Sequence, residues 1–137
     1  MPSTGFASFQ NHGYRGLYAG ETAAMIAQRK GLKRGQEILD HMGSTELAAN
    51  LFRATQVEDK LRRRTTEVGP IGQKAANKAH HDMGKAVRQF ILDQGGTPPE
   101  QLPTPAESSK ELQRKEQQRL EEERQPRLFI LDSGDEE

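Results

Sequence analysis

The fold is decided by residues 45–94, which read TELAANLFRATQVEDKLRRRTTEVGPIGQKAANKAHHDMGKAVRQFILDQ. Apolar side chains recur there at helical spacing, in a first set at Leu47, Leu51, Ala54 and Leu61 and a second set at Ala76, Ala79, Met83, Val87, Phe90 and Ile91. The two sets predict one helix over about 45–64 and another over about 73–94. Two long helices with matching apolar stripes and a short connection favour an antiparallel pair.

The segment before this pair predicts shorter elements. Residues 5–20, GFASFQNHGYRGLYAG, contain four aromatic side chains and four glycines. We expect at most a short helical turn at about 5–12 and then a loop, since glycine disfavours the helix interior. The aromatic side chains either anchor this segment on the core or form a stacking platform for bases. Residues 21–30 and 36–42 predict two short helices packed across the pair.

The chemistry changes after residue 96. Residues 97–104 read as a Pro-rich linker, and residues 105–125 as a polar helix whose acidic and basic side chains alternate at i,i+3 spacing. Residues 126–137 read as a disordered acidic tail. The predicted fold is therefore all-α: a small helical bundle over residues 1–96 around an antiparallel pair of long helices, followed by a protruding polar helix and a disordered tail.

Composition excludes several classes of protein. Only 32% of the 137 residues are hydrophobic, and the chain contains no cysteine. Disulfides and thiolate metal sites are therefore excluded. No apolar run is longer than five residues, whereas a membrane-spanning helix needs about 20. The N-terminus lacks the basic and apolar regions of a secretory signal, so a cytoplasmic location is expected.

The net charge of zero hides an asymmetry between the two parts of the chain. Residues 1–95 contain 14 Lys or Arg and 9 Asp or Glu, whereas residues 96–137 contain 6 and 11. A basic domain followed by an acidic segment indicates a nucleic-acid partner or an acidic protein partner.

No motif in the sequence indicates catalysis. It contains no HExxH metal motif, phosphate-binding loop or nucleophile elbow. His80 and His81 are neighbours on a helix, about 100° apart, so they cannot chelate one ion as an i,i+4 pair does. We expect His80 to be a packing or hydrogen-bonding residue. The sequence predicts no catalytic residue, metal site or cofactor, and therefore no enzyme.

Clusters of basic residues are the candidates for nucleic-acid or partner contact. Residues 22–42 have the spacing of a helix-turn-helix, and Arg29, Lys30, Lys33 and Arg34 surround its turn, as phosphate contacts would. The alternative is a plain helix–loop–helix with a solvated basic turn. Residues 62–64 form a second cluster, Arg62, Arg63 and Arg64, which is also typical of a helix C-terminus. Lys85 and Arg88 complete the candidate set.

Several longer strings, taken in order, resemble a known family. They include FQNHGY at 9–14, QRKGLK at 28–33, GGT at 95–97 and above all ILDHMGSTELAANLFRATQ at 38–56. In this order and spacing, roughly residues 5–112 resemble the C-terminal half of the DNA-damage-inducible protein D family. Members of that family begin with a domain similar to the DNA-binding region of phage antirepressor (BRO-type) proteins, and this sequence contains only the second half.

The resemblance implies a bacterial cytoplasmic protein of the SOS response to DNA damage. It also implies RecA, or the RecA–single-stranded-DNA filament, as the partner, which would be modulated by contact rather than by a catalysed reaction. Direct DNA binding through the helix-turn-helix-like segment is the alternative. A third hypothesis is that the polar C-terminal helix promotes oligomerisation.

Overall fold

The computed structural model describes the backbone of residues 3–135 and the side chains of residues 5–108 and 110–124. All regular secondary structure in this part of the chain is helical, which confirms the all-α prediction. The helices are α1 (Ser3–Leu17), α2 (Ala23–Arg29), α3 (Ser44–Val68), α4 (Gln73–Asp93) and α5 (Ser109–Asp135), with 3₁₀ turns at Ile38–His41 and Pro99–Gln101.

Three helices, α1, α3 and α4, form the bundle. Helix α1 runs parallel to α4, because Gln73 at the start of α4 bonds the carbonyl of Gly5 while Arg88 near its end bonds the carbonyl of Leu17. Helix α3 runs antiparallel to both. The antiparallel α3–α4 pair is thus present, but α1 is a third long member that the sequence did not predict.

The prediction that α1 ends at about residue 12 is wrong, because the helix continues through Gly13 and Gly16 to Leu17. Both glycines lie against α4, which presents Gly84 to them. A Cβ on Gly84 would lie 2.6 Å from the carbonyl oxygen of Gly13, and a Cβ on Gly16 would overlap the carbonyl oxygen of His81. Glycine costs about 1 kcal/mol in an isolated helix. Here it allows two backbones to touch, and the packing offsets that cost.

Helix α3 also differs from its prediction. It extends four residues past Arg64 to Val68, and its buried face consists of Glu46, Asn50, Arg53 and Val57. These four positions follow helical spacing, but three of the side chains are polar.

The apolar stripe predicted for α3 lies only partly on the core. Leu47 packs against it, whereas Leu51 is 50% exposed, and the neighbouring Phe52 is exposed as well. The helical period predicted for α3 was therefore correct, but the face predicted to be buried was wrong. The polar side chains inside α3 find partners on other parts of the fold, which is the condition for burying them.

Helix α4 matches its prediction closely. It spans Gln73–Asp93, and Ala76, Ala79 and Val87 are buried. The exception is Phe90, which was predicted to face the core and is 64% exposed.

The apolar core lies at the C-terminal end of α1, where α2 and the first 3₁₀ turn cover it. Its buried members are Tyr14, Leu17, Tyr18, Ile26, Met42 and Val87. Helix α2 begins at the N-cap Thr22, whose side chain accepts a bond from the main-chain nitrogen of Met25. The second short helix, predicted over 36–42, is only the four-residue 3₁₀ turn at Ile38–His41.

Residues 97–108 return across the bundle before α5 begins. Pro99 is buried, so the segment predicted as a linker contacts the domain, and Ser108 just beyond that segment is buried as well. Helix α5 starts at Ser109, four residues after the predicted start, and continues past Pro126 to Asp135. The disordered tail predicted for 126–137 extends beyond the described residues, and the structure describes none of its side chains, so it stays a prediction.

Within residues 3–135, none of the helices combines the length and the apolar character that a membrane crossing requires.

Candidate functional site

A chain of buried polar side chains joins the helices of the bundle. The hydroxyl of Tyr18 donates to Glu46 Oε2 at 2.5 Å and accepts from Asn50 Nδ2 at 2.9 Å. The other oxygen of Glu46 accepts a bond from Lys30 Nζ at 2.8 Å, and the side chains of this ion pair are 0% and 1% exposed. Burial, together with the bond to Glu46, raises the pKa of Tyr18, so its hydroxyl stays protonated and acts as a donor.

The same network continues through Arg53 and His80. Arg53 donates to Asn50 Oδ1 at 3.1 Å, contacts His80 Nε2 and lies 5.0 Å from the centre of the Tyr14 ring. His80 Nδ1 donates to the carbonyl of Phe9 at 2.8 Å, which leaves Nε2 as an acceptor for the guanidinium. Burial and the charge of Arg53 lower the pKa of His80 to about 4, so the imidazole is neutral at pH 7.

This network belongs to the interior of the fold and stabilises it. Glu46, Asn50, Arg53 and His80 are each at most 2% exposed, and most of their polar atoms have partners inside the protein. Among buried side-chain nitrogens and oxygens of the described residues, Arg53 Nε alone lacks a hydrogen-bond partner. A buried neutral histidine that orients an arginine fixes the register of three helices, and this confirms the expectation that His80 is a hydrogen-bonding residue.

An apolar groove lies on the surface between α1 and α3. It has a volume of about 350 Å³, and its lining residues are Phe6, Phe9, Gln10, Ala54, Val57, Glu58, Leu61 and His80. Phe6 is 54% exposed at its edge. A groove with an exposed aromatic ring beside aliphatic side chains is the kind of surface that receives an apolar side chain of a partner.

A basic groove lies on the other side of α1, between α1 and α4. It has a volume of about 870 Å³, and its lining residues are His12, Arg15, Gly20, Gln73, Lys74, Asn77, Lys78 and His81. Three of these carry permanent positive charge, two are histidines and none is a carboxylate, while most of the surface exposed inside the groove is apolar. The acid next to the groove is Asp82, which accepts a bond from Lys78 at 2.8 Å on the exposed surface.

The basic turn predicted from the sequence is not one continuous surface. Lys30 lies inside the protein, where it also bonds the carbonyl of His41 and the hydroxyl of Thr104. Arg29 pairs with Glu21 at 3.0 Å, and Lys33 and Arg34 are exposed.

The predicted helix-turn-helix over 22–42 is not formed. Its second helix is replaced by the 3₁₀ turn Ile38–His41, which is too short to act as a recognition helix. Lys30 is buried beneath this region rather than available to a phosphate.

The other candidate residues are dispersed. Arg62 pairs with Glu58 at 2.8 Å and Arg63 with Asp59 at 3.0 Å, and both pairs are exposed, as is Arg64. Because α3 continues to Val68, these arginines do not stand in its last turn.

Arg88 and Lys85, the remaining candidates, differ in their hydrogen bonding. Arg88 donates two bonds to Glu100, at 2.7 and 2.8 Å, and one to the carbonyl of Leu17. It therefore fastens residues 97–101 to the bundle. Lys85 is exposed one turn beyond His81 on α4.

Sequence reasoning missed the basic groove. Lys74, Lys78, His81 and Lys85 recur every three or four residues, and this spacing places them on one face of α4. That signal was available. The contribution of Arg15 and His12 was not, because it depends on α1 being a helix packed parallel to α4. Among the described residues, no three His, Asp or Glu side chains are grouped in a way that could hold a metal ion.

Comparison with known proteins identifies the family to which the chain belongs. The profile of the family described as the DinD C-terminal domain matches residues 2–112. DNA damage-inducible protein D of Escherichia coli (strain K12) is 60% identical over 111 residues, which cover 81% of this chain and 39% of that relative. The chain thus spans well under half the length of that relative, and no solved structure matches it. The chain belongs to the DinD C-terminal domain family.

Proposed function

We propose that this chain is a cytoplasmic, non-enzymatic binding domain of the bacterial SOS response to DNA damage, and that it modulates RecA–single-stranded-DNA filaments through protein contacts. The link to DNA damage rests on the name of the relative that is 60% identical to the chain over 111 residues. The filament as partner follows from the resemblance noted in the sequence. The structural observation that supports protein contact is the apolar groove between α1 and α3.

The groove has the chemistry of a protein-docking site. Phe6 projects 54% of its surface into solvent beside Phe9, Leu61 and Ala54. Burying a phenylalanine side chain fully contributes about 1.5–3 kcal/mol, and aromatic anchors of this kind carry much of the affinity of protein interfaces. A partner that inserts an aliphatic side chain here would bury Phe6 without any rearrangement of the bundle.

The test compares Phe6→Ala with Phe90→Ala. Both phenylalanines are more than half exposed, but Phe90 lies on α4 and does not line the groove. Purified chain would be captured on RecA-coated single strands, on RecA alone and on bare single strands, with affinity measured for each. We expect binding to the filament that Phe6→Ala weakens about tenfold, equivalent to about 1.4 kcal/mol, and that Phe90→Ala leaves within about twofold.

Two results would contradict the proposal. Absence of binding to the filament and to free RecA would remove RecA as the partner. Equal effects of the two substitutions would remove the apolar groove as the contact surface. DNA reading by residues 22–42, the alternative drawn from the sequence, has no structural observation in its favour, since its second helix is a 3₁₀ turn.

A further inference from the structure

Basic side chains of α4 form a row, of which Lys74, Lys78 and His81 line the basic groove. Lys74, Lys78, His81 and Lys85 follow each other at intervals of four, three and four residues, so neighbours stand about 5–6 Å apart at Cβ. The row extends roughly 16 Å along the helix axis. Lys78 bonds Asp82, and the Lys78 side chain is still 79% exposed.

Helix α1 supplies the opposite wall and holds it in place. Arg15 is exposed at the groove, and His12 Nδ1 donates to the carbonyl of Ser8 at 2.7 Å, which orients its ring. Asn77 bonds the hydroxyl of Ser8 at 3.3 Å, and so ties the two walls together. Because the backbones of α1 and α4 also touch at Gly13, Gly16 and Gly84, the groove is formed without a ligand.

Asp82 borders this row, paired with Lys78 and 3.8 Å from His81 Nδ1, but no carboxylate lines the groove itself. A concave surface with three lining cations and no lining carboxylate favours a polyanion. A nucleic-acid backbone supplies one negative charge per nucleotide at regular spacing, whereas carboxylates on a protein surface are usually interspersed with cations. Two imidazole rings, those of His12 and His81, line the groove together with the cations, and such rings stack on bases that are free of a duplex. We propose that the basic groove binds the phosphate backbone of a single-stranded nucleic acid.

This inference is independent of the apolar groove and of RecA. The basic groove lies between α1 and α4, the apolar groove between α1 and α3, and no lining residue is shared between them. Each surface can therefore be disabled by substitutions that leave the other unchanged.

The experiment measures binding of the full chain to a fluorescent oligothymidine by anisotropy over a range of salt concentrations, with no RecA present. For single strands the log–log salt slope is about −0.7 per phosphate neutralised, so Arg15, Lys74 and Lys78 together predict a slope of about −2. The double variant Lys74→Gln/Lys78→Gln is expected to weaken binding at low salt by tenfold or more and to bring the slope close to −0.7.

The matched control is Arg62→Gln/Arg63→Gln, which also removes two exposed cations, each paired with an acid one turn away. It is expected to leave both affinity and slope unchanged, and Phe6→Ala should do the same. Equal weakening by the control would overturn the assignment to this groove, as would absence of binding at low salt. Duplex DNA that binds as tightly as the single strand would refute the preference for unpaired bases. Polyglutamate that competes as well as oligothymidine would show instead a site for acidic protein segments.

Discussion

Gly84 stands where α4 touches α1, and replacing it with alanine tests whether that contact is made by backbone. The added Cβ would lie 2.6 Å from the carbonyl oxygen of Gly13, 2.8 Å from the nitrogen of Leu17 and 3.1 Å from the carbonyl carbon of Gly16. All three atoms belong to the main chain, so no side-chain rotation can relieve the overlap. The two helices would have to separate by about 0.8 Å to restore an ordinary contact.

Whether Gly84→Ala raises or lowers the free energy of unfolding distinguishes this glycine from an exposed helical glycine. At an exposed helix position, Gly→Ala stabilises a protein by up to about 1 kcal/mol. Overpacking of a closely packed interior costs typically 1–3 kcal/mol, and an overlap with three main-chain atoms belongs at the upper end of that range. We therefore expect Gly84→Ala to lower the free energy of unfolding by about 2 kcal/mol.

Urea denaturation followed by the helical circular-dichroism signal measures this change. A loss of about 2 kcal/mol lowers the midpoint by about 1 M without altering the slope, because the surface exposed on unfolding stays the same. The control is Gly72→Ser at the N-cap of α4, where a built Cβ meets no atom within 4 Å, and its midpoint should stay or rise slightly. Unchanged or increased stability of Gly84→Ala would refute the backbone contact between α1 and α4.

Three further predictions concern the interior and the C-terminal helix. Lys30→Met leaves Glu46 as an unpaired buried charge and should lower the free energy of unfolding by about 3–5 kcal/mol. The double variant Lys30→Met/Glu46→Gln should lose less stability than the two single variants together, and additive losses in urea denaturation would contradict the buried pair. Because His80 has a pKa of about 4 in the folded protein and about 6.5 unfolded, the unfolded chain takes up the proton first as pH falls. Stability should then be lost from pH 6.5 down to pH 4, by up to about 3 kcal/mol, and His80→Gln should remove that part of the pH dependence in urea titrations; an unaltered slope would count against it. Deleting residues 113–137 should change the unfolding free energy by no more than about 0.5 kcal/mol, since side chains 113–124 are all exposed, while mass measurement of both chains tests whether α5 promotes assembly.

The buried polar network explains why part of the fold could not be read from the sequence. Hydrophobic periodicity marks the face of a helix that is apolar, and it assumes that this face is the buried one. In α3 that assumption fails, because Glu46 and Arg53 are buried and Leu51 is half exposed. The sequence offered no local sign of this, since Glu46 and Arg53 each have a partner far away in the chain. Glu46 bonds Tyr18, 28 positions earlier, and Arg53 contacts His80, 27 positions later.

The same distinction holds for the two candidate surfaces. The row of basic residues on α4 is a local pattern, and the sequence contains it in full at Lys74, Lys78 and Lys85. Whether it forms a groove depends on α1, whose glycines indicated a loop when considered as residues of an isolated helix. Conversely, Lys30 belonged to the most prominent basic cluster of the sequence and lies inside the protein.

By itself, the sequence determined that the chain is helical, where α2 and α4 lie, that His80 has a structural part, and to which family the chain belongs. These properties depend on spacing along the chain or on the identity of long strings, both of which are local. Only the tertiary structure decided that Gly13, Gly16 and Gly84 are packing positions, that α3 turns a polar face inward and that a basic groove opens beside α1. The physical reason is that the cost of a glycine or of a buried charge depends on the group it contacts, and here that group lies on another element of the fold.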